Sequence, residues 1–349
     1  MPDKYKLLVF RFSAMGDVAM MVPVLQQFIA QNPHVELIIV SRTAFKPLFN
    51  QVNYHAFHPI EPNKKHKGLI GLFRLFNELK CYQIDGVADL HQNIRSQILT
   101  GLFKLTGVKT RTIHKGRAEK KCLTRRKNKD LTPVKSSTDR YADVLRSIGF
   151  TLVLKPQLIK SPQPLSQQIL AVSGSKNQLS WIGVSPFAQH PQKVYPLDKM
   201  YHVITHLAKC GYHIFIFGGG TDEKNLAENW EIKHHLITSV IGKLSLAEEL
   251  DLISNLDVMI SMDSSGMHLA SIKGVPTVSI WGATHPYTGF VGFGQTLENC
   301  VLLNLYCQPC SVYGNKPCYR KDFACMNNLS EEDIIEKVKL VLAESRPNT

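Results

Sequence analysis

The chain has no three-glycine dinucleotide fingerprint, no Gly-x-x-x-x-Gly-Lys phosphate loop and no Asp-x-Asp triplet. These absences argue against a Rossmann dinucleotide cofactor, against phosphate-loop hydrolysis and against a divalent metal clamped on a diphosphate. No uninterrupted apolar stretch approaches bilayer length. An apolar run begins within the first ten residues, leaving no room for a signal peptide, so the expected location is cytoplasmic. Acidic residues are scarce: 28 Asp and Glu face 41 Lys and Arg, for a net charge of +13 over 349 residues. Eight cysteines in an intracellular chain read as thiols and not as a disulfide framework.

Much of the positive charge is local. The segment KLTGVKTRTIHKGRAEKKCLTRRKNK, residues 104–129, carries Glu119 as its single acid. Such a field suits phosphate-rich partners: nucleic acid, anionic lipid or a phosphorylated glycolipid; the plain alternative is a solvated loop. The segment has no Trp, Tyr or Phe on which bases could stack, so nucleic acid is not an expected partner. Four cysteines cluster as Cys307-x2-Cys310-x7-Cys318-x6-Cys325, a spacing able to enclose a structural tetrahedral zinc, although reduced, partly buried thiols fit as well. Four thiolates would leave no open position for catalysis, and no cofactor is required by any motif.

Strand-like and helix-like runs alternate along the chain, the mark of parallel sheets with crossover helices. In the first half, strands are expected at 7–12, 35–40, 84–89 and 108–113, and helices at 17–30, 68–80, 93–105 and 138–148. A proline-rich polar stretch, 156–168, reads as a linker. The alternation then resumes with strands at 180–187, 212–220, 236–240, 257–262 and 277–281. The domain reading is 1–155, the linker 156–168, a second domain 169–330, and a closing helix and tail 331–349. Open sheets of this kind bind ligands beyond the carboxyl ends of their strands, so two of them facing each other would define a cleft.

Three loops carry residues suited to phosphate and sugar chemistry. In DVMISMDSSGMHLASIKGVPTVSIWGATHP, 257–286, a buried strand ends at Met262 and Asp263-Ser264-Ser265-Gly266 turns into a helix bearing His268. Unpaired N–H groups, two hydroxyls and a positive dipole end make a good anion seat, unless Asp263 or Ser264 merely caps the helix. SPFAQHPQKVYP, 185–196, leaves a strand at Ser185 and delivers Lys193. Gly218 to Gly220, followed by Thr221-Asp222-Glu223, lets a ligand approach the backbone and offers acids for ribose hydroxyls. At the front, FRFSAMGDVAMM raises a different possibility: Asp17 stands near a helix N-terminus, where it would repel a phosphate but could accept a proton.

Taken together, RFSAMGDVAMMVPVL, ADLHQNIRSQIL, KVYP and DSSGMHLASIKGVPTVSIWGATHP resemble glycosyltransferase family 9, the heptosyltransferases of the lipopolysaccharide inner core. The resemblance implies an α/β fold of GT-B type, two Rossmann-like doubly wound domains facing a cleft, with metal-independent, inverting transfer of heptose from ADP-heptose to a phosphorylated Kdo–lipid A glycolipid. It places the general base on Asp17 and donor binding on Ser185, Lys193, Glu223, Asp263, Ser264, Ser265, Gly266 and His268. It places acceptor binding on Arg11, Ser13, Asp89 and Arg95, with peripheral contact to the anionic inner membrane through the basic segment. Two departures stand out: Ser265 occupies the usual glycine position with Gly266 one place later, and Tyr195 replaces a tryptophan, keeping an aromatic wall. The competing readings are a family member using another nucleotide sugar, and a GT-B scaffold that binds nucleotide or glycan without turnover.

Overall fold

The computed structural model describes residues 4–344; the ends of the domain reading at 1–3 and 345–349 lie outside them. Two compact units emerge. The first carries β1 (Tyr5–Phe10), α1 (Met15–Gln31), β2 (Val35–Ser41), β3 (Ala56–Pro59), α2 (Gly68–Lys80), β4 (Gly86–Asp89), α3 (Ile94–Leu105) and β5 (Lys109–Thr112). After α4 (Arg117–Leu123), which belongs to the second unit, the chain returns to the first for α5 (Ser137–Ile148). The second unit continues with α6 (Gln167–Ser173), β6 (Trp181–Ser185), α7 (Leu197–Lys209), β7 (His213–Ile216), α8 (Thr221–Glu231), β8 (Ile237–Ser239) and α9 (Leu246–Ser254). It ends with β9 (Val258–Met262), α10 (Ser265–Ile272), β10 (Thr277–Ile280), β11 (Cys300–Val301), α11 (Ala324–Asn327) and α12 (Glu331–Glu344).

Every strand pairing is parallel. The orders are β3-β2-β1-β4-β5 and β11-β10-β9-β6-β7-β8. Strands covered on both faces need predominantly apolar residues, and LLVF in β1, LIIV in β2 and VMISM in β9, with Ser261 its one polar member, supply them, fully buried. Helix ends are fixed locally. Asn93 and Ser96 exchange side-chain bonds with each other's backbone N–H at the start of α3, and Ser245 and Glu248 do the same for α9. In each sheet the order reverses beside the first strand, between β1 and β4 and between β6 and β9, so the loops leaving those strands flank the gap where α/β sheets receive ligands.

The basic segment does not stay with the first unit. Residues 116–136 belong to the second, where Lys120 lies 3.9 Å from the Phe290 ring centre, Arg126 4.6 Å from that of Tyr319, and Lys129 Nζ donates to Pro309 O at 2.6 Å. Lys120 is buried and Lys129 half-buried, whereas Arg126 and most other cations of the segment stay exposed. The closing helix α12 is likewise part of the second core: Ile334, Ile335, Val338, Val341 and Leu342 are buried there, each worth about 1.5–3 kcal/mol. Tyr195, expected as an aromatic wall, is fully buried and donates through its hydroxyl to Leu329 O at 2.9 Å, anchoring the same region.

The linker also packs on the second unit. Gln163 N donates to Ser254 Oγ at 2.9 Å, and a Cβ on Gly274 would lie 2.2 Å from Ile159 O. Gly274 has φ +69°, closing the C-terminus of α10 in the left-handed region. Gly274→Ala is expected to destabilise the protein by about 2 kcal/mol, through both strain and overlap. Urea unfolding checks this, and an unchanged midpoint would show that the linker gives way freely.

Candidate active-site residues at the two sheet reversals

In the first unit the reversal is lined by the β1–α1 and β4–α3 loops. Arg11 follows β1 directly and is buried; its guanidinium pairs with Asp17 Oδ2 at 2.5 Å and donates to Leu90 O at 2.6 Å. Asp17 is the third residue of α1, which starts two residues earlier than the sequence suggested, and its carboxylate also accepts from Ala14 N–H at 3.3 Å. Ala14 has no capping oxygen of its own, so the acid provides the side-chain bond at this helix start. Tyr141 of α5 lies beneath the pair, its ring 5.8 Å from the Arg11 guanidinium and its hydroxyl donating to Asp17 O at 3.3 Å. Burial opposes charge on Arg11, but Tyr141 and Asp17 outweigh it and hold its pKa above the ordinary arginine value.

Asp89 has a different task. Fully buried at the end of β4, it accepts from the N–H groups of His91 at 2.9 Å and Gln92 at 2.8 Å, and from Ser96 Oγ at 2.9 Å, tying the loop to α3. Burial raises its pKa against these bonds. The loop then carries His91, whose Nδ1 accepts from Phe12 N–H at 3.4 Å, back to the β1 loop. Burial, with Arg11 and Lys115 nearby, depresses His91 to about 3. Ser13 is half-buried in the β1 loop, whereas Arg95 is exposed on the first turn of α3. Arg11 and Asp17 thus come together directly, Asp89 joins them through its loop, and Arg95 stays outside. Tyr141 and His91 were not singled out in the sequence: Tyr141 sits in an amphipathic helix pattern that reads as core, and His91, although inside ADLHQNIRSQIL, has no charged neighbour in sequence to mark it.

In the second unit the reversal lies between β6 and β9, and the groups read from the sequence gather there. Lys193 Nζ pairs with Asp263 Oδ2 at 2.9 Å, both largely buried. Asp263 directly follows β9, Ser264 is the cap residue of α10, and its hydroxyl lies 3.5 Å from Ser261 Oγ. The displaced glycine now has a physical reason. A Cβ on Gly266 would lie 2.5 Å from Ser185 Oγ and 2.9 Å from Ser261 Oγ, so only glycine lets the first turn of α10 pack on the ends of β6 and β9. His268 is buried further along α10. Glu223 caps α8, its Oε2 accepting from Gly219 N–H at 2.7 Å.

The cysteine-bearing loop reaches this site. Gly314, at φ +75°, lies against Lys193: a Cβ there would fall 2.4 Å from Lys193 Cγ. Cys310 and Ser311 donate their N–H groups to Ala283 O, and Gln308 Nε2 donates to Gly282 O at 2.7 Å. Burial and its three fellow thiols push Cys325 up to about 12. Among the described residues no group of three or more His, Cys, Asp or Glu is disposed to hold a metal ion.

Residues 72–319 match the family model for glycosyltransferase family 9 (heptosyltransferase). The chain belongs to that family. A lipooligosaccharide heptosyltransferase 2 of Campylobacter jejuni is 31% identical over 138 residues, 38% of this chain and 42% of its own length, so the match spans less than half of that relative. A lipopolysaccharide heptosyltransferase 1 of Campylobacter coli is 23% identical over 355 residues, 96% of this chain and 98% of its own. The E. coli heptosyltransferase WaaC, solved with ADP, superposes with a TM-score of 0.65 at 16% identity, covering 98% of this chain and 100% of that one. Family 9 chains of this type are built from two doubly wound α/β units, the GT-B set of parts, and so is this one.

Two outcomes follow. Gly314→Ala is expected to cost about 1–3 kcal/mol in urea unfolding as the Lys193 stem is pushed aside; an unchanged midpoint would mean the loop does not brace Lys193. Between 6.5 and about 3 the unfolded chain takes up a proton that folded His91 refuses. Its share of stability is therefore complete above pH 6.5 and falls as pH is lowered through that window. His91→Gln should flatten the fall of the denaturation midpoint between those limits, and an equally steep fall would contradict this.

Proposed function

We propose that this chain is a metal-independent, inverting glycosyltransferase that moves heptose from ADP-heptose to a phosphorylated inner-core glycolipid at the cytoplasmic face of the membrane. Family membership and the names of the relatives support the class of reaction. The observation that carries the chemistry is the pair of charged constellations, each at the reversal of its own sheet: Arg11–Asp17 in the first unit and Lys193–Asp263 in the second.

In this reading Asp17 takes the proton from the acceptor hydroxyl as that oxygen attacks the anomeric carbon. Arg11 keeps a positive charge beside the carboxylate and, held by Leu90 O, fixes where it stands. Ser13 and the Asp89 loop shape the acceptor side, with Arg95 as an outlying cation for acceptor phosphate or carboxylate. The diphosphate leaves toward Lys193 and the first turn of α10, where a side-chain cation, N–H donors and the hydroxyls of Ser264 and Ser265 stabilise its growing charge. A lysine and a helix terminus can do here the neutralising that a divalent metal does in other nucleotide-sugar enzymes. Asp263 aims Lys193, Ser185 and Gly266 set how closely the helix terminus approaches, and His268 and Glu223 complete the donor side.

The test separates turnover from binding. Asp17→Asn should lower turnover by roughly 10²–10⁴-fold while keeping the rise in melting temperature that ADP produces. That variant leaves Arg11 with an uncompensated buried charge, so its assay is run below its own reduced melting temperature. Lys193→Ala should lose the ADP-induced rise. Full turnover in Asp17→Asn would overturn the assignment of the base, and a wild-type protein stabilised by ADP yet unable to transfer sugar would favour the binding-only scaffold.

A further inference from the structure

Helix α2 turns an apolar corner outward. Leu69, Ile70 and Phe73 are 63%, 82% and 51% exposed, although the helix already buries Leu72, Leu75, Phe76 and Leu79 on its inner side. Residues at these spacings share the outer side of the first turn and a half. The hydrophobic core is complete without them, so the three side chains are not explained by folding. Cations surround them: Lys64, Lys65 and Lys67 immediately before the helix and Arg74 within it, all exposed. Lys65 Nζ pairs with Glu78 Oε1 at 2.8 Å; Lys64, Lys67 and Arg74 make no ion pair among the described residues.

The corner is also held in one shape. A Cβ on Gly71 would lie 2.3 Å from the His66 carbonyl carbon, so the loop carrying the lysines rests directly on the helix. Buried His66 accepts from Glu61 N–H at 3.0 Å through Nδ1, and its Nε2 lies 3.3 Å from Glu78 Oε2. His58 Nε2 lies 3.1 Å from the same oxygen. Lysines and apolar side chains are therefore presented together as a rigid unit, which lowers the entropy lost on docking.

We propose that this corner, the loop from Lys64 and the first turns of α2 to Arg74, docks the protein on an anionic lipid bilayer. Leu69, Ile70 and Phe73 enter the boundary between headgroups and acyl chains, and Lys64, Lys67 and Arg74 meet the lipid phosphates. Cations of one sign bordering a small apolar patch match that surface. Three side chains offer roughly a few hundred Å², short of the roughly 800 Å² per partner that a stable protein interface needs. The inference takes from the proposed function only that the acceptor is carried in a membrane; it places the contact on α2, where exposed cations border three exposed apolar side chains of one helix, and not on the basic segment.

The experiment is co-sedimentation of the full chain with phosphatidylcholine vesicles, with and without a substantial fraction of phosphatidylglycerol. Binding is expected to the anionic vesicles and to weaken as salt is raised. The triple variant Leu69→Ser, Ile70→Ser, Phe73→Ser and the double variant Lys64→Glu, Lys67→Glu should each lose about tenfold or more in partitioning, with melting temperature and ADP-induced stabilisation unchanged. Wild-type protein that ignores anionic vesicles, or variants that bind as wild type does, would overturn the proposal. So would a concentration-dependent dimer, seen by sedimentation velocity and lost in the triple variant while vesicle binding persists, since the patch would then serve a second copy. No sugar is needed in the assay, so its failure is distinct from failure of the transferase reading, which the Asp17→Asn kinetics decide.

Discussion

A guanidinium cannot be buried at the end of a central strand without a counter-charge, and this requirement organises the front of the first unit. β1 delivers Arg11 to the point where strand order reverses, and α1 brings Asp17 back to it one turn later. Tyr141 closes the pair from below and Leu90 O accepts from the guanidinium Nη1. The second unit meets the same demand with different parts: Lys193 from the loop after β6 against Asp263, the residue after β9. Both pairs sit where parallel sheets leave backbone groups and helix termini facing an open edge. Without internal sequence repetition, two separately cored units place a cation beside an acid at equivalent points of their topology.

The alternation of strands and helices was legible because doubly covered parallel strands must be predominantly apolar and crossover helices must not be. α2 occupies the span 68–80 read from the sequence. The elements that escaped notice are short or compositionally misleading: β3 has four residues, none of them buried, β11 has only two, and α4 lies inside a lysine-rich run. Candidate site residues could be named from their loops, but not the partners they meet in the fold. Arg11 and Asp17 are six residues apart and their pairing depends on the turn between them. That Gly266 avoids Ser185, and Gly314 avoids Lys193, depends on contacts between segments some 80 and 120 residues apart.

Charge shows the same limit. The basic run 104–129 is unmistakable in sequence, yet Lys120, Arg126 and Lys129 are bound by Phe290, Tyr319 and Pro309, well over a hundred residues downstream. A field inferred from composition assumes that cations face water, and tertiary contacts decide whether they do. The inconspicuous segment before α2 sets exposed lysines beside unburied apolar side chains, the combination that suits an anionic lipid surface. The tail cysteines gain a structural setting too, since their loop carries Gly314 against the lysine that the proposed mechanism uses.

The central claim is a single displacement, with one acid taking the acceptor proton and a cationic helix terminus receiving the diphosphate. The anomeric configuration of the product tests it most directly, read from proton and carbon couplings at the new glycosidic linkage after transfer from a donor of known configuration. The account predicts inversion at that carbon. Retention would contradict it, because two successive displacements would then be required and Asp17 could not act as the base assigned here.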